Sequence, residues 1–126
     1  MDIKKFNEFF YFEETPKGDV TLNVFRTYSE WLKFYNENMD ILKKCYWSFI
    51  PKHGQSEKYF NMYVVPGTVF AVVIDRSSTP EKLIGSVVKD GAILHSYDEK
   101  DRQIQNGEFQ KYLSMLGMDI EDVENF

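Results

Sequence analysis

Cysteine is almost missing from this chain of 126 residues. A single Cys45 excludes an intramolecular disulfide framework, and with only two histidines it leaves too few soft ligands for a zinc ribbon or zinc finger. The seven glycines are scattered, so neither G-x-G-x-x-G nor G-x-x-x-x-G-K-[ST] occurs, and G-x-S-x-G and H-E-x-x-H are absent too. The common nucleotide, hydrolase and metalloprotease chemistries have nothing to rest on. No run approaches the ~20 apolar residues of a membrane helix, and the first residues lack the roughly 7–15-residue apolar stretch of a secretory signal. The expectation is a cytoplasmic protein that touches no membrane and holds neither cofactor nor metal.

A surplus of one charge is also missing from most of the chain. The net charge is −5, but four of the 20 acidic residues, Asp119, Glu121, Asp122 and Glu124, fall in residues 117–126. That stretch holds no base, leaving 16 acids against 15 bases before it. Only the C-terminus and local clusters offer a charge argument for a partner. Aromatic residues, by contrast, are abundant. Eleven Phe, eight Tyr and two Trp make 17% of the chain, more than one small core must hide at roughly 150–250 Å² each. Several are expected to lie partly exposed, where Tyr, Trp and Phe serve as interface anchors.

Periodicity predicts a single α+β domain over residues 1–116, with residues 117–126 as an acidic tail or short helix. The architecture expected is a mainly antiparallel, twisted sheet of five to six strands with two to three helices packed against it. Residues 9–14 and Val20–Phe25 flank Thr15-Pro16-Lys17-Gly18-Asp19 and read as an opening hairpin. Thr27-Tyr28-Ser29-Glu30 has capping-box spacing, and Trp31, Phe34, Tyr35, Met39 and Leu42 follow on one stripe. Residues 45–50, closed by Pro51, read as a strand. Ser56 is placed to cap a short helix carrying Phe60, Tyr63 and Val64.

The apolar run Val69–Ile74 reads as a central strand buried on both faces. Asp90-Gly91 between two β-rich segments signals a type I′ hairpin, because that turn needs φ > 0 at both central residues. A two-residue turn pairs Lys89 with Ala92, Val88 with Ile93, Ser86 with His95 and Ile84 with Tyr97. Asn106 is placed to cap a last helix carrying Phe109, Tyr112, Leu113 and Leu116, with Gly117 at its C′ position.

Three groups of residues carry candidate chemistry. Cys45, His53 and His95 are the ingredients of a nucleophilic or acid–base site, but nothing in their spacing brings them together, and a buried Cys45 is the plainer reading. Asp98, Glu99 and Asp101 concentrate carboxylates after the last long strand. They lack the alternating ligands, fixed Gly and distal Glu of a calcium loop, so an ion-paired turn or the rim of a docking surface is the better expectation. Lys43, Lys44, Lys52 and Lys58 surround Tyr46, Trp47, Phe49 and His53, the mixture of bases and rings that single-stranded nucleic acid requires. Contact through Lys43, Lys44, Trp47, Lys52 and His53 is thus an alternative, although an acidic chain argues against direct nucleic-acid binding.

From Cys45 to Ile104 the order of features resembles a family of small phage and mobile-element proteins. The shared features are a Trp-containing strand (Tyr46-Trp47-Ser48), an aromatic helix (Tyr59-Phe60-Asn61-Met62-Tyr63), a buried strand (Phe70-Ala71-Val72-Val73-Ile74) and the Asp-x-x-Asp of Asp98 to Asp101. The resemblance implies no activity. Small size, acidity and abundant aromatics suit phage-encoded inhibitors of host machinery, including anti-CRISPR proteins. The leading expectation is a non-catalytic module that binds a host protein with a basic surface. Its acidic contacts would be Asp98, Glu99 and Asp101, or Asp119, Glu121, Asp122 and Glu124. A small enzyme or toxin-like domain using His53, His95 and carboxylates is the alternative.

Overall fold

The computed structural model describes residues 19–51 and 54–126. Five strands follow one another as an antiparallel meander: β1 (Val20–Phe25), β2 (Val69–Asp75), β3 (Lys82–Lys89), β4 (Ala92–Asp98) and β5 (Gln103–Ile104), in the spatial order β1-β2-β3-β4-β5. The first strand of the expected opening hairpin, residues 9–14, and its turn lie outside the described residues. Every residue of β2 is buried, as its unbroken apolar sequence predicts. Among the described strands it is second, with β3 in the middle place.

Strands β2 and β3 are buried because helices cover both faces of the sheet there. On one face lie α1 (Tyr28–Glu37), α2 (Met39–Leu42) and α3 (Ser56–Tyr63), enclosing an aromatic core with Phe70, Val72, Ile74, Leu83 and Val87. On the other lie α4 (Asn106–Met115) and α5 (Ile120–Glu124), packed on Leu22, Val73, Ile84 and Val88. The architecture is α+β with one antiparallel sheet. Two of the five helices among the described residues are short pieces of four and five residues, which hydrophobic periodicity does not resolve.

The caps explain where the helices begin and end. Glu30 N–H donates to Thr27 Oγ1 at 3.2 Å while the Glu30 carboxylate accepts from the N–H groups of Thr27 and Arg26, completing the predicted capping box. The Arg26 amide, chiefly, holds that carboxyl below its usual pKa. The stripe after Trp31 breaks at Asn38, so Met39 is exposed rather than buried. Gly117, at φ +72°, closes α4 in a Schellman motif: Met118 N–H reaches the Leu113 carbonyl and Gly117 N–H that of Ser114. Neither Ser56 nor Asn106 is an N-cap. Ser56 is buried with its hydroxyl 2.6 Å from Tyr28 Oη, and Asn106 donates its side-chain amide to the Ile93 carbonyl of β4.

Residues 45–50 are not a strand. They form an irregular plug that drops Trp47, Phe49 and Ile50 into the aromatic core. β-forming side chains favour any half-buried surface, and here a loop lying across the sheet supplies it. Trp31 Nε1–H donates to the Phe49 carbonyl at 2.9 Å, and Trp47 Nε1–H to the Asp98 carbonyl at 2.8 Å. The rings meet edge to face, with Phe49–Phe70 centroids 4.9 Å apart and Trp47–Phe70 centroids 5.4 Å apart. Among the described residues, most of the aromatic side chains are therefore core.

The β3–β4 hairpin turns at Asp90-Gly91 with φ of +51° and +76°, as its sequence predicts. Lys89 pairs with Ala92 and Val88 with Ile93, but a bulge then intervenes. Ser86 pairs with Ser96 instead of His95, and Ile84 with Asp98 instead of Tyr97. The extra residue moves His95 and Tyr97 to the aromatic face, opposite Val87 and Gly85. It also lets the buried hydroxyls of Ser86 and Ser96 bond each other at 2.7 Å.

Candidate partner-binding face

The segment from Asp98 to Arg102 is a braced loop. One Asp98 carboxylate oxygen accepts from the N–H groups of Lys100 (3.0 Å) and Arg102 (2.9 Å), and the other from Arg102 Nε (2.9 Å). Burial alone would raise the Asp98 pKa, but these donors, led by the Arg102 amide, hold it below the usual carboxylate range. The loop is pinned to the aromatic plug by Trp47 Nε1–H and by Tyr46 N–H, which donates to the Glu99 carbonyl at 2.9 Å. Asp98 thus builds the loop, and Glu99 and Asp101 are what it presents.

Three concavities meet at this loop. A groove of about 520 Å³ runs past Glu81, Lys82, Glu99, Arg102 and Glu108. A second, of about 240 Å³, passes Asp40, Lys44, Tyr46 and Lys100 and shares Pro80, Glu81 and Glu99 with the first. A notch of about 60 Å³ lies beside them, with Asp101 at its edge. Ion pairs join Arg76 to Asp40, Lys82 to Glu108 and Arg102 to Asp98. Among the described residues, no hydrogen bond or ion pair engages the carboxylates of Glu81, Glu99 or Asp101.

The three concavities are lined by six carboxylates, Asp40, Glu81, Asp98, Glu99, Asp101 and Glu108, against four cations, Lys44, Lys82, Lys100 and Arg102. Burial, then the neighbouring Asp98, raises the Asp101 pKa. Burial pushes the Cys45 thiol up to about 12, with Asp101 and Glu99 adding to it, and Tyr97 is raised by burial, Tyr63 and Asp101. Cys45 is fully buried and stays protonated at neutral pH, which removes it as a nucleophile. No protein-family model, curated protein or solved structure matches this chain. The case for a site therefore rests on this geometry.

The other sequence-derived candidates fall elsewhere. Asp119 and Asp122 form a capping box at the start of α5. Glu124 accepts from the Gly91 amide with its carboxylate and from Arg26 with its carbonyl, while Arg26 also reaches the Phe126 carbonyl at 3.2 Å. Val123 is fully buried, so this acidic segment is a docked helix, and Glu121 is its freest carboxylate. It sits at the Gly91 end of β4, whereas Asp98 is at the other, about 20 Å away along a seven-residue strand. The two acidic groups cannot form one small surface.

Lys43 and Lys44 are exposed, but Trp47 is only 2% exposed and cannot stack on a base. Lys52 and His53 lie outside the described residues. His95 is exposed on β4 beside Tyr97, with ring centroids 6.3 Å apart. Among the described residues, no group of three or more His, Cys, Asp or Glu side chains could hold a metal ion, and no helix is long and apolar enough to cross a membrane. Sequence reasoning missed Glu81 and Tyr63 as site residues and read Tyr46 only within the nucleic-acid alternative. Nothing local marks Glu81, whereas Tyr46 and Tyr63, 61% and 44% exposed, are with Phe126 the most exposed aromatic side chains among the described residues.

Proposed function

We propose that this chain is a non-catalytic protein-binding module that docks a basic partner surface against the face around Asp98–Arg102. The observation that carries this reading is the convergence of three concavities on one braced loop whose Glu99 and Asp101 carboxylates, with that of Glu81, have no hydrogen-bond or ion-pair partner among the described residues. Exposed Tyr46 and Tyr63 stand beside it as anchors. The narrower proposal is an inhibitor, encoded by a phage or mobile element, of a host nucleic-acid-handling or CRISPR-type defence protein. Such a partner carries a basic surface for phosphates, and a small acidic chain blocks it by occupying it.

The test is retention of a host protein on the immobilised chain, compared with a Glu81→Lys/Glu99→Lys variant. Glu81 is exposed and Glu99 half-buried on a turn, so neither change touches the core. The expected result is an identified nucleic-acid-handling protein held by the unaltered chain and bound about 10-fold more weakly by the variant, the effect of ~1.4 kcal/mol. Equal retention by both, or sensitivity only to Glu121→Lys at the opposite end of β4, overturns the reading.

A further inference from the structure

The notch beside Asp101 is built differently from the two grooves. Its floor is made by Trp47, Phe49 and Phe70, all nearly fully buried. Tyr63, from the end of α3, and Tyr97, from β4, stand at its sides, and Asp101 closes the rim. No lysine or arginine lines it. Tyr97 reaches it only because the bulge between Val87 and Val88 turns that side chain to the aromatic face. Gly85, opposite Tyr97, lets the Phe70 and Trp47 rings of the floor close down on the sheet, within 3 Å of where a Cβ would stand.

We propose that this notch receives the guanidinium of an arginine side chain presented by the partner protein. This rests on the reading of the face as a docking site for a basic surface, and it names the anchor. Rings flanking a small cavity attract a cation through their negative faces, and a carboxylate at the rim supplies the opposing charge. A volume of about 60 Å³ admits a group of a few heavy atoms and excludes a nucleobase or an aromatic side chain. A guanidinium is planar, stacks on rings, is more weakly hydrated than an ammonium and meets a carboxylate with two parallel N–H donors. Its three-carbon stem can lie along the exposed Tyr63 ring. A phosphate is repelled by Asp101.

The test is an aromatic-resonance NMR titration of the whole chain with acetylated, amidated Gly-Gly-Arg-Gly-Gly, and with the same peptide carrying lysine or citrulline. Citrulline keeps the shape of arginine and loses its charge. The expected result is that the arginine peptide moves the ring signals of Tyr63 and Tyr97 and the indole N–H of Trp47. The citrulline peptide should bind about 10-fold more weakly and the lysine peptide should fall between them. Asp101→Asn should weaken the arginine peptide by about 10-fold with no change in melting temperature, since asparagine tolerates the φ of +63° at this position. Equal binding of the arginine and citrulline peptides, or arginine-induced shifts confined to residues outside the notch, overturns the proposal. If Glu81→Lys/Glu99→Lys still releases the host protein in that case, the docking face stands and only its anchor is wrong.

Discussion

Gly85→Ala will destabilise the protein by about 2–3 kcal/mol, the range of an overpacked core. A methyl group at this position would lie 2.6 Å from Phe70 Cζ and 2.9 Å from two atoms of the Trp47 indole. Neither ring has room to retreat. Phe70 is held between Trp31, Trp47 and Phe49, and Trp47 is tied through Nε1–H to the Asp98 carbonyl. An alanine in a strand would ordinarily gain ~0.5–1 kcal/mol over glycine through reduced backbone freedom. That gain is too small to offset the clash. Urea unfolding would show the loss as a lower midpoint at an unchanged slope. Because the clash is with a named ring, Phe70→Leu combined with Gly85→Ala should lose less than the sum of the two single changes. Simple additivity would mean that the ring contacts are not the cause.

Asp75→Asn will cost about 2 kcal/mol at neutral pH, and the difference from the unaltered chain will shrink as the solution is acidified. Asp75 ends β2, is only 6% exposed, and accepts from Tyr112 Oη at 2.6 Å, the Ser77 amide at 2.9 Å, and the hydroxyls of Ser77 and Ser78. Bonds to a charged acceptor each contribute roughly 1.5–3 kcal/mol, and an amide keeps some of them with less charge. Burial would raise the Asp75 pKa, but the four donors reverse this and hold it below the usual carboxylate value. Between the folded and unfolded pKa values the unfolded chain binds more protons, so stability rises with pH in that interval. The contribution of Asp75 is complete above an unfolded pKa of about 3.9 and disappears as the pH falls through the lower folded value. Asp98 and Glu30 are also depressed and share the acid loss, so the variant's difference from the parent, measured from pH 7 down to pH 2, isolates the Asp75 part. A difference that stays constant below about pH 4 would contradict the assignment.

Much of the fold was legible because it is written in local chemistry. The Thr27–Glu30 box, the Asp90-Gly91 turn and the unbroken apolar run of β2 each specify one backbone conformation regardless of what packs on them. The rest depends on partners distant in sequence. Residues 45–50 have the composition of a strand because they are half-buried, and only the sheet beneath them shows that a loop does the burying. The bulge left one trace, adjacent apolar Ile93 and Leu94 where strict alternation demands a polar residue, and a register counted from the turn passes over it. The site follows the same division. Asp98, Glu99 and Asp101 stand out as a cluster, but their different roles depend on which carboxylate the loop uses for itself. The acidic C-terminus reads as either a tail or a short helix, and buried Val123 and the reach of Arg26 decide for a docked helix.

The proposed docking places a partner at the Asp98–Arg102 end of β4 rather than at the α5 end. Hydrogen–deuterium exchange of the full chain, alone and bound to the host protein it retains, measures this directly. The predicted result is slowed exchange in residues 80–83 and 98–102 with residues 119–124 unchanged. Protection confined to residues 119–124, with the 98–102 loop exchanging as in the free protein, would contradict it.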